Sequence, residues 1–220
     1  MAEDLIREVL EKHNGRPCLT CSFQAEDMIV LHLLRKFRPD IPVLFLDTGY
    51  HFPETYEYRD RMAREWQFSL VNVQPALSIE EHEARHCKLY EKQPDQCCKL
   101  RKVEPLLNAL EDYEVWFTGL RREQSPTRAN LAPVENHTLP SGKSLVKVSP
   151  LAHWSSKEVW SYLRVNDIDY LPLYDRGYPS IGCEPCTALP IEADNPRSGR
   201  WSGQKLECGI HTFDAGRKSV

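Results

Sequence analysis

The sequence predicts an α/β fold with a mainly parallel central sheet flanked by helices. Three observations carry this. Short apolar runs alternate with stretches of helical period along most of the chain. Several of these runs end in polar or glycine-bearing turns that lead into a helix. With 220 residues, the chain can bury a core without disulfides.

In chain order, Ala2 to His13 is acidic and amphipathic and reads as a surface helix closing near Gly15. Arg16 to Phe23 is an apolar run read as the first strand, and Gln24 to Phe37 is helical in pattern. Ile41 to Asp47 is continuously apolar, as a buried parallel strand requires. Pro53, at a first-turn position, opens a helix reaching about Trp66. Phe68 to Val73 is the third strand. Ser78 and Glu81 have capping-box spacing and start another helix. One helix is expected over Asp95 to Leu110, a fourth strand over Tyr113 to Leu120, a fifth over Ser144 to Leu151, and a helix over Ser155 to Asp167. From Leu171 onward Gly, Pro and Ser are frequent and regular periodicity is lost. The expected division is residues 1–170 as an α/β body and 171–220 as an irregular C-terminal segment.

Composition narrows the function. A formal net charge of −4 provides no global basic field for nucleic acid. No apolar run is long enough to span a bilayer, and the acidic N-terminus is no signal peptide, so a cytoplasmic location is expected. In a reducing compartment the eight cysteines point to metal binding or redox chemistry rather than disulfides.

In open parallel sheets, ligands bind at the carboxyl ends of the strands. Three strand ends stand out. The first places Ser22 and Gln24 in a strand-to-helix turn, where backbone N–H groups can cradle a phosphate. The second offers Asp47, Thr48 and Gly49; the third offers Arg121, Arg122 and Arg128. Each alone reads as a plain connection, but together at one sheet edge they predict a nucleotide pocket. No GxxxxGK[ST] is present, which excludes the usual P-loop.

Cys18 and Cys21 lie three apart on a predicted strand, so their side chains face opposite ways and read as small buried hydrophobes. Cys87 reads as structural. Two arrangements compete for the other five. Cys183, Cys186, Cys208 and His211 have the spacing of a Cys₃His zinc site in a nucleotide- or RNA-binding module. Alternatively Cys97, Cys98, Cys183 and Cys186 supply the four thiolates of a [4Fe–4S] cluster. The vicinal pair suits the cluster better, because adjacent ligands can go to separate irons. That choice leaves Cys208 unbound.

Taken together, "SFQAEDM", "LDTGYHFPETYE", "CCKLRKVEPL", "TGLRREQSPTR", "GCEPCT" and "RSGRWSGQKLECGIH" resemble the assimilatory adenylyl-sulfate reductases, the iron–sulfur branch of the phosphoadenylyl-sulfate reductase family. The resemblance runs in order from about Cys21 to His211. It implies the adenine-nucleotide α-hydrolase-like fold with a modified pyrophosphate loop, and a [4Fe–4S] cluster on Cys97, Cys98, Cys183 and Cys186. It implies thiol-dependent reduction of adenylyl sulfate to sulfite and AMP, with Cys208 as nucleophile. The alternative substrate is phosphoadenylyl sulfate, used by members without the cluster cysteines. Lys102, five residues beyond Cys97, is expected to link cluster and substrate, and His211 to orient or stabilise the thiolate. Arg197 and Arg200 resemble the family's sulfate-binding arginines. Ser22, Gln24, Asp47, Thr48, Gly49, Gly119 and Arg121 are the expected nucleotide contacts. Lys99 and Arg101 read as solvated charges. No resolving thiol is near Cys208 in sequence, so thioredoxin or glutaredoxin is the implied dithiol donor. The chain is compatible with a homo-oligomer.

Overall fold

The computed structural model describes residues 2–192, 195–205 and 207–211. Six strands form one sheet: β1 (Pro17–Thr20), β2 (Pro42–Leu46), β3 (Ser69–Val73), β4 (Val115–Phe117), β5 (Val134–Thr138) and β6 (Ser144–Val148), in the order β3-β2-β1-β4-β6-β5. All pairings are parallel except β5 with β6, which is an antiparallel hairpin at the edge. The sequence reading missed β5. Its "VENHT" is mostly polar and one-sided, as an edge strand can be, and it lacks the apolar run that marks the central strands.

Both faces of the sheet are covered. Leu19, Val43, Phe45, Val115 and Phe117 face a core completed by α1 (Ala2–Lys12), α2 (Ala25–Arg35), α3 (Pro53–Trp66) and α8 (Ser156–Val165). The alternate residues Cys18, Leu44 and Trp116 face a second core with Leu106 and Leu110 of α7 (Glu104–Leu110). Cys18 and Cys21 lie in opposite cores, as strand alternation requires.

Helix ends follow local chemistry. Pro53 begins α3, and Gln67 ends it in the left-handed region at φ 50°. The Ser78–Glu81 capping box starts α4 (Ile79–His86), and Ser155–Glu158 does the same for α8. Two short helical segments follow α4: α5 (Leu89–Lys92) and α6 (Pro94–Cys98).

The single helix expected over Asp95 to Leu110 is broken. A π-helical turn over Lys99–Val103 separates α6 from α7. Pro105 gives a reason: it has no N–H to donate to the carbonyl four residues back, so an uninterrupted α-ladder cannot run through it. The wider turn carries Arg101 and Lys102 inward, where both are buried.

From Leu171 onward the described residues form only short 3₁₀ turns, yet they pack against the sheet body. Leu171, Leu173 and Ile181 belong to the main core. Among the described residues, no helix is long and apolar enough to cross a membrane.

Candidate active site

A cleft of about 580 Å³ opens at the carboxyl ends of β1, β2 and β4. At one end lies the turn between β1 and α2. Ser22 donates both its backbone N–H (2.7 Å) and its hydroxyl (2.6 Å) to one oxygen of Asp27, in the first turn of α2. Gly119 meets the other side of Asp27: a Cβ there would lie 2.2 Å from Oδ1 and 2.9 Å from the Asp27 nitrogen. Only glycine fits, so Asp27 ties the ends of β1 and β4 together. Burial pushes its carboxyl up to about 6, against the two bonds from Ser22. The sequence reading quoted Asp27 without assigning it a role.

Gln24 precedes α2 without capping it. Its amide is used instead to bridge Ser22 Oγ (3.0 Å) and the Ile181 N–H (2.9 Å), joining the turn to the C-terminal segment. Arg121 lines the cleft with its guanidinium held by Glu26 at 2.9 and 2.7 Å. Ser22, Gln24, Gly119 and Arg121 therefore share one wall.

Asp47, Thr48 and Gly49 do not line the cleft. Asp47 accepts from Tyr56 (2.7 Å) and from the Gly49 N–H (3.1 Å). Thr48 is fully buried, with its hydroxyl 3.2 Å from Cys183 Sγ. Gly49, at φ +77°, lies against Ile79 and Arg101. This turn borders the cysteine pocket rather than the cleft. From the same loop, His51 does reach the cleft. Burial, then Lys102, pushes its imidazole down to about 4, and its neutral ring donates to the Leu46 carbonyl at 2.8 Å.

Arg101 corrects the expectation of a solvated charge. It is 3% exposed and donates to the carbonyls of Thr48 (2.7 Å), Leu77 (3.2 Å) and Ser78 (3.4 Å), with its guanidinium 5.1 Å from the Tyr50 ring. It pins the π-turn to the β2 loop and to the start of α4. Lys99 is exposed, as expected. Cys87 ends α4 at φ 58° and is exposed, so it is not a buried structural thiol.

Cys97, Cys98, Cys183 and Cys186 are buried free thiols around one small cavity walled by Tyr50, Tyr90 and Trp201. Burial pushes Cys97 up to about 12 and Cys186 up to about 11, and mutual proximity of the thiols adds to both. Cys98 moves the same way through burial, with Lys102 opposing. Among the described residues, no three His, Cys, Asp or Glu side chains converge as a single ion would need. Tetrahedral zinc draws its sulfurs to about 3.8 Å of one another, from Zn–S distances near 2.3 Å. Four buried thiols around one shared cavity, with Lys102 beside it, are the donor set that a four-thiolate iron–sulfur cluster would use. His211 also lies away from that set, stacked on Trp116 at 5.5 Å.

Cys208 is half-buried, touches this sulfur cluster and also lines the cleft. It stands where the two cavities meet. Three cations share that junction. Lys102 is buried; burial works against its charge, but the sulfurs of Cys183, Cys208 and Cys98 outweigh it and hold the ammonium above its ordinary value. Arg200 is buried, lies 4.4 Å over Trp201 and donates to the Cys186 carbonyl at 3.2 Å. Burial lowers its pKa, opposed first by Cys208. Arg197 donates to Ser180 at 3.3 Å, and burial takes it down to about 10. Lys205 reaches Asp95 (2.6 Å) and Cys98 Sγ (3.5 Å).

His211 lines the cleft, but not as a cation. Burial drives its pKa well below the ordinary value, and Lys147 and Arg128 add to that. Among the described residues its buried Nδ1 has no hydrogen-bond partner, while its carbonyl accepts from Lys147 at 3.3 Å. A neutral imidazole can orient a ligand but cannot supply positive charge. Arg128, left out of the expected contacts, also lines the cleft. Its place in the arginine-rich loop after β4 was the available signal.

This architecture defines an α/β protein with a mainly parallel sheet, whose cleft at the strand ends reaches a nest of sulfurs and buried cations. The phosphoadenosine phosphosulfate reductase domain matches residues 16–189, and the chain belongs to that family. It is 44% identical to an adenosine 5'-phosphosulfate reductase of Halalkalibacterium halodurans, over 94% of this chain and 90% of that one. It is 43% identical to a phosphoadenosine 5'-phosphosulfate reductase of Gloeobacter violaceus, over 95% and 88%. Among solved structures, the phosphoadenylyl-sulfate reductase of Candida auris superposes with a TM-score of 0.70 at 26% identity, covering 83% of this chain and 88% of that one.

Proposed function

We propose that this protein reduces adenylyl sulfate to sulfite and AMP, using Cys208 as nucleophile and an external dithiol as reductant, in assimilatory sulfate reduction in the cytoplasm. The observation that carries this is Cys208 at the junction of a nucleotide-sized cleft and a four-thiol pocket, amid Lys102, Arg197 and Arg200. The adenosine 5'-phosphosulfate reductase names of relatives at this level of identity support it.

In this reading, Ser22, Gln24, Gly119 and Arg121 form the nucleotide end, and the N-terminus of α2 faces the phosphate. Lys102, Arg197 and Arg200 bind the sulfonyl oxygens. His211 offers its unpartnered Nδ1 to the bound anion. Thr48 supports the sulfur pocket, and Asp47 and Gly49 shape the loop that carries it. The thiolate of Cys208 attacks the sulfur of adenylyl sulfate. An S–S bond forms, the S–O bond to the bridging oxygen breaks, and AMP leaves. A thiolate of the donor then attacks Cys208 Sγ and expels sulfite; the donor's second thiol frees Cys208 and closes the donor's disulfide. Two electrons pass from dithiol to sulfur, and a protein of the thioredoxin or glutaredoxin type supplies them.

Cys97, Cys98, Cys183 and Cys186 would hold a [4Fe–4S] cluster, which supplies a fixed scaffold and local charge beside Lys102. Residues 1–170 form the nucleotide-binding body, and 171–220 bring two of the cluster thiols and Cys208 to it. Phosphoadenylyl sulfate is the second reading, favoured by the name of the Gloeobacter relative; initial rates with both nucleotides separate the two.

The deciding experiment mixes anaerobically purified protein with adenylyl sulfate and no dithiol. The peptide containing Cys208 gains about 80 Da, with one AMP released per chain, as a covalent sulfonyl intermediate requires. Absence of the adduct in iron-replete protein rejects the reading.

A further inference from the structure

Gly182 immediately precedes Cys183, and its φ lies outside the left-handed region, so no backbone strain reserves the position for glycine. What reserves it is space. A Cβ there would stand 2.6 Å from Arg200 Cζ and 2.9 Å from Nη1, with Nη2 closer still. The Arg200 guanidinium fills the room that a side chain at this position would take. The same group is fixed by its other neighbours: Cζ lies 4.4 Å from the centre of the Trp201 ring, Nε donates to the Cys186 carbonyl at 3.2 Å, and Nη1 donates to Ser180 Oγ at 3.4 Å. Arg200 is buried, which leaves it little open room to move into.

The glycine cannot back away either. The Ile181 N–H donates to Gln24 Oε1 at 2.9 Å, the Gly182 N–H donates to Thr187 Oγ1 at 3.2 Å, and Cys183 pairs with His51 in an antiparallel bridge. The Thr187 hydroxyl donates in turn to the Cys183 carbonyl at 2.8 Å, and Thr187 is bridged to Arg200 itself. Gly182 and Arg200 both line the cleft, as does Cys208.

We infer that Gly182 is a positioning residue for the reaction: its missing side chain seats the Arg200 guanidinium beside Cys208, and any side chain there would move that cation away from the transferring sulfonyl group. This rests on the reading of Arg200 as a sulfonyl-binding residue and names what sets its place. Ordinary contact begins at 3.4 Å, so an alanine Cβ obliges the guanidinium to retreat and give up its present bonds. A misplacement of about 1 Å at a group that touches the reacting atoms costs about a hundredfold in rate.

The test makes Gly182→Ala and Arg200→Met singly and together in the iron-replete full chain. Sulfonyl transfer is read as the rate at which the Cys208 peptide gains about 80 Da on mixing with adenylyl sulfate. Each single variant is expected to slow transfer about a hundredfold, with iron retained. AMP Kd, by calorimetry, should change less than about threefold, because AMP carries no sulfonyl group. In the double variant, Gly182→Ala is expected to add less than about threefold, since the group it displaces is already gone. Should Arg200→Met not fold, Arg200→Lys takes its place, its single ammonium nitrogen leaving the space beside Gly182 clear. A methyl group that struck the nucleotide or disturbed the Cys183 loop would cost as much in either Arg200 background as in the unsubstituted protein. That result, or transfer in Gly182→Ala within about threefold of normal, overturns the inference. Iodoacetamide labelling of Cys208 needs no substrate and separates this inference from the reductase reading. Without the cation beside the thiol, labelling should slow in Gly182→Ala as it does in Arg200→Met, and the two effects should not add. Absence of the adduct in the unsubstituted protein rejects the reductase reading, and the labelling then decides alone: an unchanged rate in Gly182→Ala, with a slower one in Arg200→Met, overturns the placement.

Discussion

Asp27 offers a sharp test of how the cleft wall is held. Its carboxyl is buried between Ser22 and Gly119, and burial raises its pKa from 3.8 to about 6. Between those values the folded chain binds a proton that the unfolded chain has lost. Stability from this group is therefore complete below the unfolded pKa and is lost as pH rises through about 6. With those two values, linkage gives about 1.4 kcal/mol lost between pH 5 and pH 8. Asp27→Asn removes the titration and keeps an oxygen able to accept from the Ser22 N–H. Urea unfolding of both proteins, followed by circular dichroism at pH 5 and pH 8, isolates the term, because titrations elsewhere cancel in the difference when the sites are independent. The unsubstituted protein should lose about 1.4 kcal/mol relative to the variant across that range. A flat difference, or a gain with rising pH, would show that Asp27 is ionised in place and that the account of the wall is wrong.

Two further substitutions probe the sulfur side. Arg101→Met leaves three carbonyls without their cationic donor and should cost about 3 kcal/mol in urea unfolding, with faster loss of iron to a chelator. A loss below about 1 kcal/mol would mean that the π-turn is held by packing alone. Lys102→Met should slow single-turnover AMP release about a hundredfold while AMP affinity changes less than about threefold, since its charge acts on the transferring group. Equal losses in rate and AMP affinity would reject that role.

What the sequence disclosed was whatever has a short period or a local cause. Apolar runs placed five strands, Ser78 and Glu81 announced their helix, and alternation put Cys18 and Cys21 in opposite cores. What it withheld depends on distance. Arg101 looks like any surface arginine until three carbonyls, from residues 23 to 53 positions away, close around it. Asp47, Thr48 and Gly49 sit at a strand end, where ligands gather, yet the π-turn and Cys183 claim that loop first. Pro105 was the one visible sign that the helix carrying Cys97 and Cys98 could not run straight. Glu207 and Arg128 stand 79 residues apart, and only the fold shows that they pair.

The sulfurs and the cations also explain each other. Burying Lys102, Arg197 and Arg200 near one another would be strongly unfavourable in isolation, since each loses hydration and repels the others. The opposing interactions come from Cys98, Cys183, Cys186 and Cys208 around Lys102 and Arg200, and at Arg197 first from Glu207 and then from Cys208. Sulfurs committed to a metal centre carry negative charge permanently, without the pH dependence of free thiols that burial pushes up to about 11 and 12. A site that must present several cations to an oxyanion thus needs a counter-charge that does not titrate and does not compete for the same face. As ligands of the proposed cluster, the four thiols that line the second cavity behind Lys102 would meet both conditions. On this argument the proposed cluster would need no redox step to matter: without it the cations would be stranded, and oxyanion binding should fail together with the fold of the sulfur pocket.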